Sequence, residues 1–122
     1  MDTREIADRL VALCRAGRYD QCYDELFAQD AENIEMPAMA DGPLGNAKGM
    51  PAIRAKAQAW MDGVEQIHAS TVGDPQVAGN WFSVPMSMDL TLKGRGRMAM
   101  DELCVYQVRG GKVVREQFFY DA

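Results

Sequence analysis

Apolar and polar residues alternate with a period of two along the C-terminal half of the chain, as they do in half-buried β-strands. The alternation predicts strands at residues 67–78, 81–92, 98–108 and 113–120. The first strand is interrupted at Gly73-Asp74-Pro75, and Arg109-Gly110-Gly111-Lys112 is a typical hairpin turn between the last two. Consecutive strands joined by such short turns predict an antiparallel sheet.

The N-terminal half spaces its apolar residues three and four positions apart, which predicts amphipathic helices. The first helix follows Asp2, whose spacing from Glu5 is that of a capping box, and it ends at Gly17. A second, shorter helix is predicted at residues 19–27, and a short strand at residues 33–36.

A third helix begins at Gly49-Met50-Pro51, because proline suits the first turn of a helix, and it ends at Gly63. Proline and glycine make residues 37–48, which precede it, a predicted loop. The predicted buried side of the third helix consists of Ile53, Ala57, Trp60 and Met61. Helices followed by an antiparallel sheet indicate an α+β fold.

The length and charge of the chain limit the kinds of protein that it can be. A chain of 122 residues predicts a single domain, residues 1–122. The net charge of −5 argues against nucleic-acid or anionic-membrane binding, and no apolar run approaches the roughly 18 residues of a membrane span. The charged N-terminus lacks a signal-peptide apolar region, and the three cysteines form no CxxC pair, so we expect free thiols in a cytoplasmic protein.

A single carboxylate interrupts the apolar face of the strand predicted at residues 98–108. A spacing of two residues puts Glu102 on one side of the sheet together with Met98, Met100, Cys104, Tyr106 and Val108. A carboxylate on such a face must be paired, hydrogen-bonded, solvated within a cavity or protonated. The pattern therefore predicts a pocket with one polar feature.

Three segments of the chain show a family resemblance. They are Arg15-Ala16-Gly17-Arg18-Tyr19-Asp20, Gly49-Met50-Pro51-Ala52-Ile53, and residues 105–114 with the following Glu116 and Phe118-Phe119-Tyr120. Together they resemble the NTF2-like superfamily and, within it, the SnoaL-like proteins. The resemblance implies an α+β cone, with three N-terminal helices packed on a strongly curved, mainly antiparallel sheet and a pocket between them. It also implies a homodimer that forms through the outer face of the sheet.

The superfamily contains isomerases, cyclases, epoxide hydrolases and noncatalytic domains, so the resemblance does not by itself determine an activity. The general base and the two oxyanion-hole residues of its ketosteroid isomerases fall at Met36, Leu10 and Cys104. None of these side chains supplies the acid–base group that enolisation needs, and ketosteroid isomerase chemistry is therefore not expected.

The resemblance places His68, which is the only histidine, inside the cone with Glu102 and Tyr120. If His68 and Glu102 approach within hydrogen-bonding distance, they could act as general acid or base in a cofactor-free isomerase, cyclase or hydrolase. The alternative is a buried pair with a structural role, in a noncatalytic ligand-binding or protein-interaction module.

The expected pocket is apolar and would suit a hydrophobic or aromatic small molecule. Its predicted lining consists of Met36, Trp60, Met86, Met88, Met100, Cys104, Tyr106, Phe118 and Tyr120. No metal site is expected, because one histidine and scattered carboxylates lack a recognisable ligand spacing. No cofactor is expected either, because no glycine-rich phosphate-binding motif is present.

Overall fold

The computed structural model describes residues 1–121, and Ala122, the last residue of the predicted domain, lies outside the described residues. The described residues form three α-helices, which are α1 (Thr3–Arg15), α2 (Tyr19–Leu26) and α3 (Met50–Gly63), and a 3₁₀ turn at Pro37–Met39. They also form seven strands, which are β1 (Phe27–Ile34), β2 (Ala47–Lys48), β3 (Val64–Val72), β4 (Gln76–Ala78), β5 (Trp81–Leu92), β6 (Gly96–Arg109) and β7 (Lys112–Phe119).

The first helix begins with the capping box that the sequence predicts. The Asp2 carboxylate accepts a hydrogen bond from the Glu5 backbone N–H at 2.8 Å, and the Glu5 carboxylate accepts one from the Asp2 N–H at 3.1 Å. These two bonds satisfy N–H groups that have no partner within the helix. The buried side of α1 consists of Ile6, Ala7, Leu10, Val11, Leu13 and Cys14.

The strands form one mixed sheet in the order β2-β1-β7-β6-β5-β3, with β4 paired to β5. Neighbouring strands are antiparallel except β1 and β7, which are parallel. The register shifts between β1 and β7, between β3 and β5 and between β6 and β7, and such bulges bend a sheet. The sheet is strongly curved and not closed, so the predicted α+β cone is confirmed.

The hydrophobic core lies between α1, α2 and the inner face of the sheet. Phe82 on β5 and Tyr106 on β6 are cross-strand partners, and their rings stack with centroids 4.8 Å apart. Val84 and Val113 are completely buried beside them. Full burial of an apolar side chain of this size contributes about 1.5–3 kcal/mol, so this end of the cone is the stable part of the fold.

Several elements differ from their predictions. Ala47–Lys48, at the end of the predicted loop, form β2 because they pair with β1, and β3 begins at Val64 rather than at residue 67. Strand β1 begins at Phe27 rather than at residue 33, because its irregular polar pattern conceals a strand that is held by pairing with β7. The bounds of α3 match the prediction, but only Met50 and Ile53 of this helix are buried. Trp60 is half-buried and Met61 is 48% exposed, so the C-terminal half of α3 stands away from the core. No helix within residues 1–121 combines the length and the apolar character needed to cross a membrane.

Candidate functional site

Glu102 lies on the inner face of β6 and is half-buried. Cys104 and Tyr106, which are two and four residues further along the strand, are buried in the core. Asp101 and Leu103 point to the other side of the sheet and are exposed. The alternation of the strand therefore places this carboxylate on the concave side of the sheet.

The inner face of β5 and β6 is closed at one end and half-buried in its middle, and Leu90 and Leu92 of β5 are buried again beyond that. At the closed end both partners of each cross-strand pair are buried, and these pairs are Phe82 with Tyr106 and Val84 with Cys104. In the middle both partners are half-buried, and these pairs are Met86 with Glu102 and Met88 with Met100. Glu102 thus marks the boundary between the packed core and the part of the inner face that solvent reaches.

We call the half-buried part of the inner face, together with the half-buried side chains of α3 and of the segments beside it, the inner cleft. These side chains are Met36, Trp60, Met86, Met88, Met100, Glu102, Phe118 and Tyr120. Two recesses, of about 390 and 350 Å³, lie on the outer side of the sheet. The side chains of the inner cleft are largely apolar, with Glu102 as the carboxylate among them.

A hydrogen-bonded network crosses the inner cleft from α3 to the sheet. The Lys56 Nζ donates to the Asn33 Oδ1 and to the Glu35 Oε2, each at 2.5 Å. The Tyr120 hydroxyl donates to the other oxygen of Glu35 at 2.6 Å, and the Asn33 Nδ2 donates to the Glu116 Oε1 at 2.7 Å. The Lys56 ammonium also lies 5.4 Å from the centre of the Phe118 ring. One lysine therefore fixes the end of β1 relative to α3.

Burial changes the ionisation of two carboxyl groups in this region. Burial raises the pKa of Glu116 to about 7, although the hydrogen bond from Asn33 opposes the shift. Burial also raises the pKa of Glu102, and the nearby Glu35 carboxylate adds to the increase. The Cys104 thiol, whose sulfur lies 3.6 Å from the Glu102 Oε1, donates a hydrogen bond that lowers this pKa. Glu102 is therefore easier to protonate than an exposed glutamate.

One phenol and one thiol of this region stay protonated. Burial, followed by the hydrogen bond to Glu35, raises the pKa of Tyr120 to about 12. Burial likewise raises the pKa of the Cys104 thiol, and the negative charge of Glu102 raises it further. Neither group is a ready nucleophile, so the acid–base chemistry of the cleft depends on its carboxyl groups.

The expected approach of His68 to Glu102 is not found. His68 is exposed on β3, and its Nε2 lies 2.7 Å from the Thr91 Oγ1. Thr91 alternates with the buried Leu90 and Leu92, so this contact is on the outer side of the sheet. The pair predicted for acid–base chemistry is thus separated by the sheet itself.

Cys104 and Tyr106 also differ from their expected position in a pocket lining. Both are buried in the core, where Tyr106 stacks on Phe82. The remaining seven residues of the predicted lining are half-buried, as a cleft surface requires.

Sequence reasoning missed the centre of the polar network, which consists of Asn33, Glu35 and Lys56. Lys56 lies three residues after Ile53 and four before Trp60, so it interrupts the apolar side of α3 as Glu102 interrupts that of β6. That interruption is a signal the sequence contains. Asn33 and Glu35 give no comparable signal, because the polar pattern of β1 is irregular.

Metal binding finds no support among the described residues. Within residues 1–121, no group of three or more histidine, cysteine, aspartate or glutamate side chains is arranged to hold an ion. Cys14, Cys22 and Cys104 are free and buried.

Comparison with solved structures places this arrangement among known folds. A SnoaL-like protein from Mesorhizobium loti, which carries the provisional name of polyketide cyclase, shares 31% identity and superposes with a TM-score of 0.90, over 98% of this chain and 100% of that one. An NTF2-like protein from Burkholderia thailandensis shares 17% identity with a TM-score of 0.82, over 99% and 92% of the two chains. TerC, crystallised with polyporic acid, shares 16% identity with a TM-score of 0.76, over 98% and 91%.

No match was found among curated proteins. The sequence profile of the SnoaL-like domain, in contrast, matches residues 1–120. That match covers nearly the whole chain and agrees with the structural similarity to the Mesorhizobium loti protein. The chain therefore belongs to the SnoaL-like domain family.

Proposed function

We propose that this protein binds a hydrophobic or aromatic small molecule in the inner cleft, and that Glu102 exchanges a proton with it without a cofactor. The observation that supports the proposal most directly is the position of Glu102 at the edge of an apolar wall. The carboxyl group is half-buried, and no ion pair engages it within residues 1–121. Lys56, which is the nearby cation, donates its hydrogen bonds to Asn33 and Glu35 instead.

Proton exchange requires a group whose pKa approaches the working pH. Burial and the Glu35 carboxylate shift the pKa of Glu102 in that direction. A ligand that covers the cleft would exclude further water and extend the shift. The reaction class that fits one carboxyl group without metal or cofactor is isomerisation, cyclisation or hydrolysis.

The shape and chemistry of the cleft support a flat ligand. Thioether groups from Met86, Met88 and Met100 lie on the sheet side, with Trp60 on the helix side. Methionine side chains adapt to the surface of an aromatic ligand, and an aromatic side chain can stack on that ligand. The co-crystallisation of TerC with polyporic acid adds support from a protein of the same fold.

Native mass spectrometry of freshly purified protein tests for a retained small molecule.

An NMR titration tests binding in the cleft with a defined probe. Polyporic acid is added to protein labelled with ¹³C at the methionine methyl groups. We expect the signals of Met86, Met88 and Met100 to shift in a saturable manner. The signal of Met1, which is exposed at the N-terminus, is an internal control and should not move. Absence of both a retained molecule and these shifts would contradict binding in the cleft.

The variant Glu102→Gln tests the proton transfer separately from binding. It keeps the shape of the side chain, so the ligand should still bind, whereas turnover of the retained molecule should fall about 100-fold or more. Asp101→Asn is the matched control, because Asp101 is the neighbouring carboxylate on the outer face, where it accepts a hydrogen bond from Ser87. Turnover that is equal in Glu102→Gln and in the wild type would contradict the catalytic role and leave a noncatalytic binding protein.

We also propose that the single domain, residues 1–122, forms a homodimer in the cytoplasm through the outer sheet face. Trp81, Leu103 and Phe119 on that face are 38–42% exposed. Leu103 and Phe119 are cross-strand partners, so their apolar surfaces are continuous. The same face presents charges of both signs, among them Asp101 and Arg97, which would allow a copy of the same surface to pair with it.

A further inference from the structure

Arg115 lies on the outer side of β7, away from the inner cleft, and its guanidinium group is not satisfied. The Arg115 Nε is buried and has no hydrogen-bond acceptor in the part of the chain that the structure describes. Glu32 is its register partner on β1, but the Glu32 carboxylate lies 3.9 Å from the Lys48 ammonium instead. A buried donor without a partner is unfavourable, so an acceptor from outside the described chain would stabilise this site.

The Arg115 side chain lines a recess of about 390 Å³. The other lining residues are Asp30, Glu32, Lys48, Gln107, Arg109 and Val114. Two register shifts meet beside it, one on β1 between Phe27 and Glu32 and one where β6 and β7 pair near Val108. Bulges redirect side chains and are frequent beside binding sites, and here they leave a concave surface on an otherwise regular sheet face.

The recess is more positive than the protein as a whole. Lys48, Arg109 and Arg115 provide three positive charges against the two carboxylates of Asp30 and Glu32, which leaves 3 − 2 = +1 in a chain of net charge −5. The planar guanidinium group presents parallel N–H donors that match the oxygens of a carboxylate or a phosphate. The neighbouring Gln107 amide adds a further donor on the same wall.

We propose that this recess is a second ligand site, which binds a small oxyanion such as a carboxylate or phosphate group through the Arg115 guanidinium. Arg109 and Gln107 would contribute further hydrogen bonds to the same anion. The two carboxylates on the β1 side would disfavour a bulky polyanion and select a ligand with a single oxyanion group. The site lies on the opposite side of the sheet from the inner cleft and does not depend on the function proposed there.

The test is an NMR titration that follows backbone amide signals while inorganic phosphate or acetate is added at constant ionic strength. We expect saturable shifts at Gln107, Val114 and Arg115 in the wild-type protein. In Arg115→Gln the affinity should fall at least tenfold, and in Arg115→Lys, which keeps the charge but lacks the planar fork, it should fall by a smaller factor. Arg95→Gln is the matched control, because Arg95 is an exposed arginine in the turn between β5 and β6, and its affinity should equal that of the wild type.

Two results would overturn the proposal. One is the binding expected of an adventitious ion only. It would appear as equal affinity in the wild type and Arg115→Gln, or as shifts that stay linear with concentration and are as large around Arg95 as around Arg115. The other is a dimer that Arg115→Gln dissociates while neither anion saturates the site, which would make a carboxylate of a second copy the acceptor. Dispersed amide spectra report folding of each variant, and Arg109→Gln, with an expected loss of several-fold in affinity, replaces Arg115→Gln if that variant does not fold.

Discussion

At the scale of single residues, the inner face of this protein is organised around one ammonium group and three carboxyl groups. Lys56 is hydrogen-bonded to Glu35, while Glu102 and Glu116 both have a raised pKa. Glu116 is buried and accepts a hydrogen bond from Asn33, whereas Glu102 is half-buried at the inner cleft. The two groups therefore have different consequences, since one affects stability and the other is available to a ligand.

Ionisation of Glu116 should make the stability of the protein depend on pH. Its pKa is raised from 4.5 to about 7 in the folded protein, so the unfolded chain ionises first. Stability from this group is complete below pH 4.5 and declines as the pH rises through about 7, by about 3 kcal/mol in total. In Glu116→Gln, which keeps the acceptor for Asn33, that decline should be absent.

Urea unfolding of both proteins at several pH values between 4 and 9 measures this difference. Glu116→Gln should gain stability relative to the wild type as the pH rises. Glu65→Gln, which changes an exposed glutamate of β3, is the control and should follow the wild type at each pH. A constant difference between Glu116→Gln and the wild type across the range would show that folding leaves the pKa of Glu116 unchanged, which would contradict the prediction.

The face on which a residue lies could be predicted where strand alternation is regular and not where it is interrupted. Glu102 lies in an unbroken stretch of β6 paired to β5, so a period of two placed it correctly on the inner face. His68 lies at a register shift of β3, between Ile67 and Ala69. The family resemblance placed His68 inside the cone, but an extra residue at a bulge changes the face on which side chains lie, and the His68 side chain contacts Thr91 on the outer side.

At the scale of elements, local signals predicted the helix starts and the long hairpins. The capping box of α1, Pro51 at the start of α3 and the glycine turn between β6 and β7 are all found. The turn has positive φ angles at Gly110 (61°) and Gly111 (77°), which residues with a side chain rarely adopt. Strand β1 has no such signal, since its partner β7 is the last strand of the chain and only the folded sheet brings them together.

Removal of the α1 capping box should destabilise the whole domain, because α1 contributes six buried residues to the core. We expect Asp2→Ala to lower the free energy of unfolding by about 1 kcal/mol, the usual contribution of an N-terminal capping side chain. Urea denaturation at pH 7 provides the measurement. Asp8→Ala is the control, since Asp8 forms only an exposed ion pair with Arg4 at 3.6 Å and should change stability by less than about 0.5 kcal/mol. Equal losses in both variants would contradict a specific role of the cap.

At the scale of the whole molecule, the two faces of the sheet have different surroundings. The inner face is covered by helices at one end and half-buried at the inner cleft, whereas Leu103 and Phe119 on the outer face are exposed. Exposed apolar groups that are continuous on a sheet commonly mark an interface. The proposed homodimer would cover them.

Sedimentation analysis of the purified protein tests the homodimer. The wild type should have about 27 kDa, twice the chain mass of 13.5 kDa. Leu103→Glu should shift it to the monomer mass, because it places a charge within the apolar surface. Ala99→Glu, on the same face of β6 but nearer the exposed turn, should remain dimeric. A wild-type protein that is monomeric at all concentrations would contradict the interface.

The sequence by itself determined the order of helices and strands, the family, and the apolar face on which Glu102 lies, because these depend on local spacing and on motifs within single elements. Tertiary structure decided what Glu102 approaches, on which side His68 lies and where the inner face opens. It also brought Lys56 to Glu35 and left the Arg115 Nε without an acceptor within residues 1–121. These features depend on strand register and on bulges, which arise from pairing between distant segments and leave no fixed pattern in any one of them.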